Sequence, residues 1–391
     1  MAGKTGRVLA AIAVAVVILG SATTAVAAQP TGGTADALKE DLQSYLDVHY
    51  KQDHFSAVAL RVTYPDHRPA TSVSVGTMRG GGGGPVPETA MWQIGSNTKA
   101  FTSVVLLQLE AEGRLSIRDR LGAWLPQYPA WRDVTITQLL SMTSGIPDYL
   151  EQDTFGDVFL ADPKATFTPE RLVSFVTGLP TGPPTFHYSN TNYLLAQMII
   201  ERATHDSYGS QLSHRILKPL GLHDSCLPPA CPPGTAGRMP AGYVGTSGLP
   251  TWLGKPVPPL ALSWAQGAGG LVSSLPDLGT WASALYEGRL LPRAQQRELR
   301  SLVSMTTGAP ITTVTPEDPL GFGLGVAQRI DSGTGEPVWA YRGETFGFQV
   351  VHEYLPRTGM IITLAVNSSV DEDTMSGLAD TVHHTLSAHG R

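Results

Sequence analysis

The sequence has few charged residues, and its basic residues are scattered along the chain. Charged side chains make up 15% of the 391 residues, and the formal net charge at pH 7 is −6. Binding to a nucleic-acid backbone needs a clustered positive field, which scattered lysines and arginines do not provide. The composition therefore excludes nucleic acid as a partner.

Several enzyme classes are excluded because their short motifs are missing. No serine lies in a Gly-x-Ser-x-Gly elbow, and the chain has no His-Glu-x-x-His pair. It also lacks a Gly-x-Gly-x-x-Gly turn between a strand and a helix, so α/β-hydrolase, zinc peptidase and dinucleotide chemistry are not indicated. The glycine run at 80–84 is not followed by Gly-Lys-Ser/Thr, and we interpret it as a flexible connection between strands.

Long apolar runs are also rare. The longest, Val8–Gly20, follows two basic residues and precedes the small-x-small sequence at 25–27, which predicts a signal peptide over residues 1–27. A membrane anchor is the alternative, but the run is short for a membrane span, and no cysteine follows it to carry a lipid. The next apolar run, Met360–Val366, has the length of a strand. We expect a secreted chain with no stable membrane anchor.

Cysteine occurs only twice, at Cys226 and Cys231. In an exported chain, two cysteines this close are expected to form a disulfide that closes the proline-rich loop between them. A zinc site that also uses His223 is the alternative, but it lacks a fourth ligand.

Strand patterns occur near both ends of the chain, and helical patterns lie between them. Alternation of apolar residues predicts strands at Ala57–Thr63, Thr71–Val75, Gly323–Arg329, Val338–Arg342, Gly347–Tyr354 and Met360–Val366. Helices are predicted at Thr34–His49, Ala100–Glu112, Thr137–Met142, Pro169–Thr177, Asn192–Ala203, Leu275–Tyr286, Pro292–Met305 and Met375–Ala388.

This order predicts an α+β fold, an α/β sandwich in which helices flank an antiparallel sheet and a mostly helical lobe lies against it. We expect residues 28–391 to form a single domain. The sheet lobe should comprise about 34–92 and 310–391, and the helical lobe about 96–305. A cleft between the lobes is the default place for a site.

A serine and a lysine stand at the head of the helix predicted after Gly95. Residues three apart share a helix face, so the hydroxyl of Ser96 and the amine of Lys99 can lie within hydrogen-bond distance. A desolvated lysine can take the serine proton, and the N–H of Ser96 can hold an oxyanion. The alternative is a capping serine beside a lysine that reaches water.

A second polar pair precedes the helix predicted at Asn192–Ala203. Tyr188 and Asn190 lie two apart in "FHYSNTNYLLA", so both side chains can point into the cleft. The phenol of Tyr188 could ionise beside a cationic lysine and act as the general base, and the amide of Asn190 could hold Lys99 and a substrate carbonyl. An ordinary loop with a packed tyrosine is the alternative.

Taken together, these residues and their flanks resemble the serine penicillin-recognising family of secreted D-alanyl-D-alanine carboxypeptidases, class C β-lactamases and related esterases and aminopeptidases. The similar blocks are "GSNTKAFTSVVLLQLEAEGRL", "TITQLLSMTSGIPDY", "FHYSNTNYLLAQMIIERAT", "LSWAQGAGGLVSSLPDLGTWASAL" and "GFGLGV". The resemblance implies that Ser96 is acylated, Lys99 is its proton partner, Tyr188 is the base and Asn190 contacts the substrate amide. It implies no metal and no cofactor.

The third motif of that family, Lys-Thr-Gly or His-x-Gly on a strand of the cleft, is altered here. The matching residues in "VWAYRGETFGF" are Tyr341, Arg342 and Gly343, so a tyrosine replaces the usual cation. Gly343 would let a substrate lie along the strand, and the N–H of Glu344 would be the second oxyanion donor.

Two arginines could replace the missing cation. Arg342 is adjacent to Tyr341, although alternation along a strand points it to the other face. Arg329 on the preceding strand could also bind a carboxylate, whereas an exposed arginine is the common case. Trp264, in a glycine-rich segment, is either a wall of the cleft or a core indole.

The resemblance therefore implies a secreted serine hydrolase that works through an acyl-enzyme, with a D-alanyl-D-alanine carboxypeptidase as the first expectation. The expected substrate is a peptide or small acyl compound, such as a peptidoglycan stem peptide. An esterase, a D-aminopeptidase, a β-lactamase of the family and a penicillin-binding relative without turnover remain as alternatives.

Overall fold

The computed structural model describes residues 33–66, 68–245, 251–370 and 373–389. The signal peptide predicted over 1–27 lies outside these residues. Among the residues described, no helix is both long enough and apolar enough to cross a membrane.

One large sheet joins strands from the two ends of the chain. Its ten strands are β1 (Ala57–Thr63), β2 (Thr71–Arg79), β3 (Gly82–Pro85), β4 (Leu302–Ser304), β5 (Pro310–Ile311), β6 (Leu320–Phe322), β7 (Ala327–Ile330), β8 (Pro337–Thr345), β9 (Phe348–Leu355) and β10 (Met360–Val366). They lie in the order β3-β2-β1-β10-β9-β8-β7-β6-β4-β5, and every pair is antiparallel. In the pair that joins the two ends of the chain, Val58 of β1 lies opposite Val366 of β10.

The helices of twelve or more residues cover both faces of this sheet. They are α1 (Thr34–His49), α2 (Thr98–Ala111), α3 (Asn190–Thr204), α4 (Leu275–Tyr286) and α5 (Met375–His389). Shorter helices lie at Leu121–Trp124, Ile136–Leu140, Asp153–Ala161, Pro169–Val173, Tyr208–Leu212, Lys218–Leu220, Gln266–Gly269 and Arg293–Leu299. Two small sheets complete the fold, one of Met91–Gln93, Val272–Ser274 and Ser225–Cys226, the other of Tyr243–Val244 and Ser368–Ser369.

The sheet is buried on both faces because two cores lie against it. Alternate residues of β1, such as Val58 and Leu60, face the core formed with α1 and α5. The intervening Ala57 and Ala59 belong to the larger core, which contains α2, α3 and α4. This arrangement confirms the predicted α+β fold of a flanked antiparallel sheet with a helical lobe.

The predicted and observed elements differ most at two places. The helix predicted to end at Met305 ends at Leu299. Residues 302–304 instead form β4, which lies next to the edge strand β5 and pairs with β5 and β6. The strand predicted at Gly323–Arg329 begins only at Ala327, where β7 starts, and residues 323–326 form a turn between β6 and β7. Gly325 has a φ of +77°, a conformation in which only glycine is unstrained, so the chain reverses there.

The cysteines form the predicted disulfide. The Sγ atoms of Cys226 and Cys231 are bonded at 2.05 Å, with the Cα atoms 5.1 Å apart. Because each thiol is used in this bond, the alternative zinc site with His223 does not form.

The buried side chain of Asn367, just after β10, is hydrogen-bonded to the backbone at the start of β1. Asn367 is fully buried, and its Oδ1 accepts hydrogen bonds from the backbone N–H of Ser56 and of Ala57, at 2.9 and 2.8 Å. Its Nδ2 donates to Ser56 Oγ and to the carbonyl of Ala241, each at 2.7 Å. The amide thus joins three separate segments of the chain.

We predict that Asn367→Ala lowers the free energy of unfolding by at least about 2 kcal/mol, because it leaves several buried donors and acceptors without partners. Thermal and urea unfolding followed by circular dichroism would measure this. Gln43→Ala on the exposed side of α1 is the control and should change stability by under about 0.5 kcal/mol. Equal stability of the two variants would contradict the assignment.

Candidate active site

Ser96 lies at the base of a cleft between the sheet and the helical lobe. It belongs to a single 3₁₀ turn, Gly95–Asn97, which leads directly into α2. Gly95 has a φ of +51°, and a Cβ there would lie 2.5 Å from the backbone nitrogen of Glu344. Glycine is therefore required for the turn to approach β8, which brings the backbone of Ser96 close to that of Glu344.

Lys99 is fully buried one turn after Ser96. Its Nζ donates to Ser96 Oγ at 2.9 Å, to Asn190 Oδ1 at 2.8 Å and to the carbonyl of Ala268 at 2.7 Å. The loss of hydration lowers the pKa of Lys99 from its ordinary 10.5 to about 7, although the negative charge of Asp148 opposes this shift. A substantial fraction of the amine is therefore neutral near pH 7.

Tyr188 comes from the loop before α3 and meets Ser96 from the opposite side. Its hydroxyl donates to Ser96 Oγ at 2.9 Å, and its ring centroid lies 4.8 Å from Lys99 Nζ. Burial raises the pKa of the Tyr188 phenol above its ordinary 10.0. The site therefore favours a neutral phenol, which differs from the ionised base expected from the sequence, because the desolvation of a phenolate is the largest influence on this pKa.

Asn190 links Lys99 to a carboxylate that the sequence analysis missed. Its Nδ2 donates to Asp148 Oδ2 at 2.7 Å, and Asp148 is fully buried. Asp148 Oδ1 accepts the N–H of Leu150 at 3.1 Å, which caps the short helical turn at 149–151. The only signal in the sequence was an aspartate after a proline in "SGIPDY", and nothing there indicated that it lies beside Asn190.

The strand β8 supplies the other wall behind the serine. A Cβ on Gly343 would lie 1.9 Å from the carbonyl oxygen of Ile94 and 2.8 Å from the nitrogen of Ser96, so only glycine allows β8 to cross the turn. Tyr341, two residues earlier on the same face, is buried, and its hydroxyl lies 3.2 Å from that of Tyr188. Glu344 borders the cleft.

The structure does not bring the two arginines to Ser96. Arg342 alternates to the far face of β8, where its guanidinium lies 3.4 Å from Asp373 and 3.7 Å from Glu344. This corrects its assignment as a substrate contact, and the reason is the two-residue period of the strand. Arg329 is held on that same side of the sheet, within 2.6 Å of both Glu353 and Asp380.

Apolar and aromatic side chains form the rest of the cleft wall. Tyr149, Leu150, Trp264 and Phe346 line it beside Ser96. Trp264 is almost completely buried, and its ring lies 5.4 Å from that of Phe346, so it is both a cleft wall and part of the core. Apart from the buried Lys99, no lysine or arginine borders the cleft among the residues described.

A family model described as Beta-lactamase matches residues 42–386. The chain belongs to the beta-lactamase family. The resemblance stated from the sequence is thereby confirmed, and the family is one of serine hydrolases with the penicillin-binding and β-lactamase fold.

Individual relatives agree with this assignment. Penicillin-binding protein 4* of Bacillus subtilis (strain 168) is 29% identical over 238 residues, which are 58% of this chain and 52% of that protein. This chain spans about half the length of the curated relatives it matches.

Solved structures match over most of the chain. A D-stereospecific amidohydrolase from Streptomyces sp. has a TM-score of 0.72 and 28% identity, covering 89% of this chain and 98% of its own. The D-amino acid amidase of Ochrobactrum anthropi SV3 has a TM-score of 0.75 and 22% identity, covering 92% of this chain and 99% of its own, and shows the shared fold.

We predict that the rate at which a fluorophosphonate labels Ser96 rises with pH, with a midpoint about 7. The neutral amine is the form of Lys99 that accepts a proton, and its fraction grows as pH rises through the pKa of Lys99. Asp148→Asn should move the midpoint to lower pH, because the carboxylate stabilises the ammonium form and raises that pKa.

The control for this experiment is Asp157→Asn, which changes an exposed carboxylate of the helix Asp153–Ala161. It should leave the midpoint in place. A midpoint near the ordinary lysine value, or one that Asp148→Asn does not move, would contradict the coupling of these groups.

Proposed function

We propose that this chain is a serine amidohydrolase that forms an acyl-enzyme at Ser96 with amides or esters of apolar D-amino acids. The observation that carries the proposal is the convergence of two groups on one oxygen. Lys99 Nζ and Tyr188 hydroxyl each lie 2.9 Å from Ser96 Oγ. A serine oxygen between an amine of lowered pKa and a phenol is arranged for proton transfer in both directions.

In acylation, Ser96 Oγ bonds to the substrate carbonyl carbon, and its proton passes to the neutral amine of Lys99. The developing oxyanion would lie between the backbone N–H groups of Ser96 and Glu344. When the tetrahedral intermediate collapses, the bond to the leaving group breaks, and the Tyr188 hydroxyl gives its proton to the departing nitrogen or oxygen. The Lys99 ammonium remains beside the phenolate that this leaves, 4.8 Å from the ring centroid. Water then attacks the acyl carbon and gives its proton to the Tyr188 oxygen. The bond to Ser96 Oγ breaks, and this oxygen takes back its proton from Lys99.

The cleft walls support an apolar substrate whose leaving group carries no carboxylate. Tyr149, Trp264 and Phe346 offer aromatic surface beside Ser96. A free carboxylate would need a cation, and both Arg329 and Arg342 are bound to acidic side chains on the other face of the sheet. D-stereospecificity is inferred from the 28% identity with the Streptomyces amidohydrolase.

A D-alanyl-D-alanine carboxypeptidase, the first expectation from the sequence, is the second candidate. The similarity to a penicillin-binding protein favours it. The tyrosine at 341 weighs against it, because Tyr341 is buried, uncharged and directed at Tyr188. A β-lactamase or a penicillin-binding relative without turnover would share the acylation step and differ in deacylation.

We predict that the purified chain hydrolyses an aromatic D-amino acid amide faster than its L enantiomer and faster than a D-alanyl-D-alanine peptide. Ser96→Ala should lower kcat/KM by at least about a thousandfold, because the nucleophile is lost. Ser174→Ala, at an exposed serine, is the control and should have wild-type rates. Steady-state assays with the three substrates and a nitrophenyl ester would measure this.

Other outcomes of these assays, and of labelling with a fluorescent penicillin, would assign a different function or contradict the proposed one. Turnover of the D-alanyl-D-alanine peptide alone would establish the carboxypeptidase. Stable labelling by a fluorescent penicillin without turnover of any substrate would indicate a binding protein, and activity retained in Ser96→Ala would overturn the assignment of the nucleophile.

We also propose that the chain is exported. The disulfide supports this, since such bonds persist in oxidising compartments. Expression of the full sequence in a bacterial host should give protein outside the cytoplasm that begins near Ala28, as measured by amino-terminal sequencing. Retention in the cytoplasm with residues 1–27 intact would contradict export.

A further inference from the structure

A chain of three buried polar side chains lies directly behind the turn that carries Ser96. The Tyr286 hydroxyl of α4 is 2.8 Å from His352 Nε2, and His352 Nδ1 is 2.7 Å from Asn97 Oδ1. Both His352 and Asn97 are fully buried, and Tyr286 is nearly so. None of the three touches Ser96 Oγ, and the reaction steps described above do not use them.

Asn97 joins the serine turn to the sheet. Its Nδ2 donates to the carbonyl of Ile94 at 2.8 Å and to the carbonyl of Val350 on β9 at 2.9 Å. The same Nδ2 lies 2.6 Å from the position that a Cβ on Gly343 would occupy. The amide therefore lies beneath β8 at the point where that strand crosses the turn.

The hydrogen bonds assign the form of the imidazole. Both hydrogens of Asn97 Nδ2 are used on carbonyls, so Asn97 Oδ1 can only accept, and His352 Nδ1 must carry the hydrogen. Nε2 is then the acceptor for the hydroxyl of Tyr286. Burial lowers the pKa of His352 to about 3, so the imidazole stays neutral in this tautomer near pH 7.

We propose that Tyr286, His352 and Asn97 are positioning residues that set the spacing between the two oxyanion donors, the N–H groups of Ser96 and Glu344. The N–H of Ser96 belongs to the turn that the Asn97 side chain links to β9. The N–H of Glu344 follows Gly343 on β8, which passes over the Asn97 amide. A shift of the amide changes the gap between turn and strand. The inference rests on the proposed acyl-enzyme mechanism, because the gap matters only when an oxyanion forms.

Two substitutions of His352 separate this role from stabilisation alone. In His352→Asn, the side-chain amide nitrogen occupies the place of Nδ1 and can still donate to Asn97. In His352→Gln, the amide reaches the place of Nε2, which keeps the contact with Tyr286 and loses the one with Asn97. Each variant thus retains one hydrogen bond and loses the other.

We expect His352→Gln to lower kcat by about 10–100-fold with KM within about threefold of wild type, because a displaced donor is lost mainly in the transition state. His352→Asn should stay within about fivefold of wild type. Binding of an arylboronic acid, which adds to a serine oxygen and forms a tetrahedral adduct, should weaken in His352→Gln by about the same factor as kcat/KM. Melting temperatures would be measured on each variant.

Tyr286→Phe is the second variant, in case His352→Gln does not fold. It removes the hydroxyl that bonds to His352 Nε2, at the end of the hydrogen-bonded series farthest from Ser96, and should lower kcat by about 3–10-fold at unchanged KM. Equal kcat in wild type, Tyr286→Phe and the His352 variants, with only the melting temperatures changed, would overturn the proposal. A wild-type chain that neither hydrolyses amides or esters nor reacts with a fluorophosphonate would instead overturn the proposed function.

Discussion

The site depends on a lysine amine that is buried from solvent. Lys99 has no exposed surface, and its three hydrogen-bond acceptors come from the turn before its own helix, from the start of α3 and from the carbonyl of Ala268. A buried ammonium is costly unless its donors are satisfied, so these segments must meet at one point for the fold to be stable. The side chain of Asn190 lies between Lys99 and the carboxylate of Asp148 and is hydrogen-bonded to both. The negative charge of Asp148 therefore lowers the cost of burying the ammonium, but the pKa of Lys99 is still about 7.

The contact between the helical lobe and the sheet brings together the groups that surround Ser96 and Lys99. Glycine at 95 and 343 lets the serine turn and β8 approach closely, and Tyr341 on that strand meets Tyr188 from the helical lobe. Polar groups are buried on both sides of this junction, and some are hydrogen-bonded across it, as Tyr188 is to Tyr341 and Asn97 to the carbonyl of Val350. Separation of the lobes by even a small distance would leave these groups unsatisfied, so the same contacts that stabilise the junction also position the reacting groups.

Much of this arrangement was predictable from short-range patterns. The bounds of β1, β10, α1 and α4 follow from apolar periodicity and match the prediction to the residue, and the spacing of Ser96 and Lys99 predicted their contact. Asp148 and His352 were not predictable, because their roles arise from pairings across 42 and 255 residues. The neutral state of Tyr188 also depends on burial, which a sequence does not give. The turn at Gly325 was missed because its flanks look like one apolar strand.

The ionisation of Lys99 in the native protein is the most direct test of the account. Lysine labelled with ¹³C at Cε allows each amine to be titrated by NMR, and Lys99→Arg identifies the resonance that belongs to Lys99. The account predicts that this resonance titrates near pH 7. A Lys99 resonance that titrates near pH 10 would show an ordinary solvated ammonium and contradict the buried amine on which the mechanism rests.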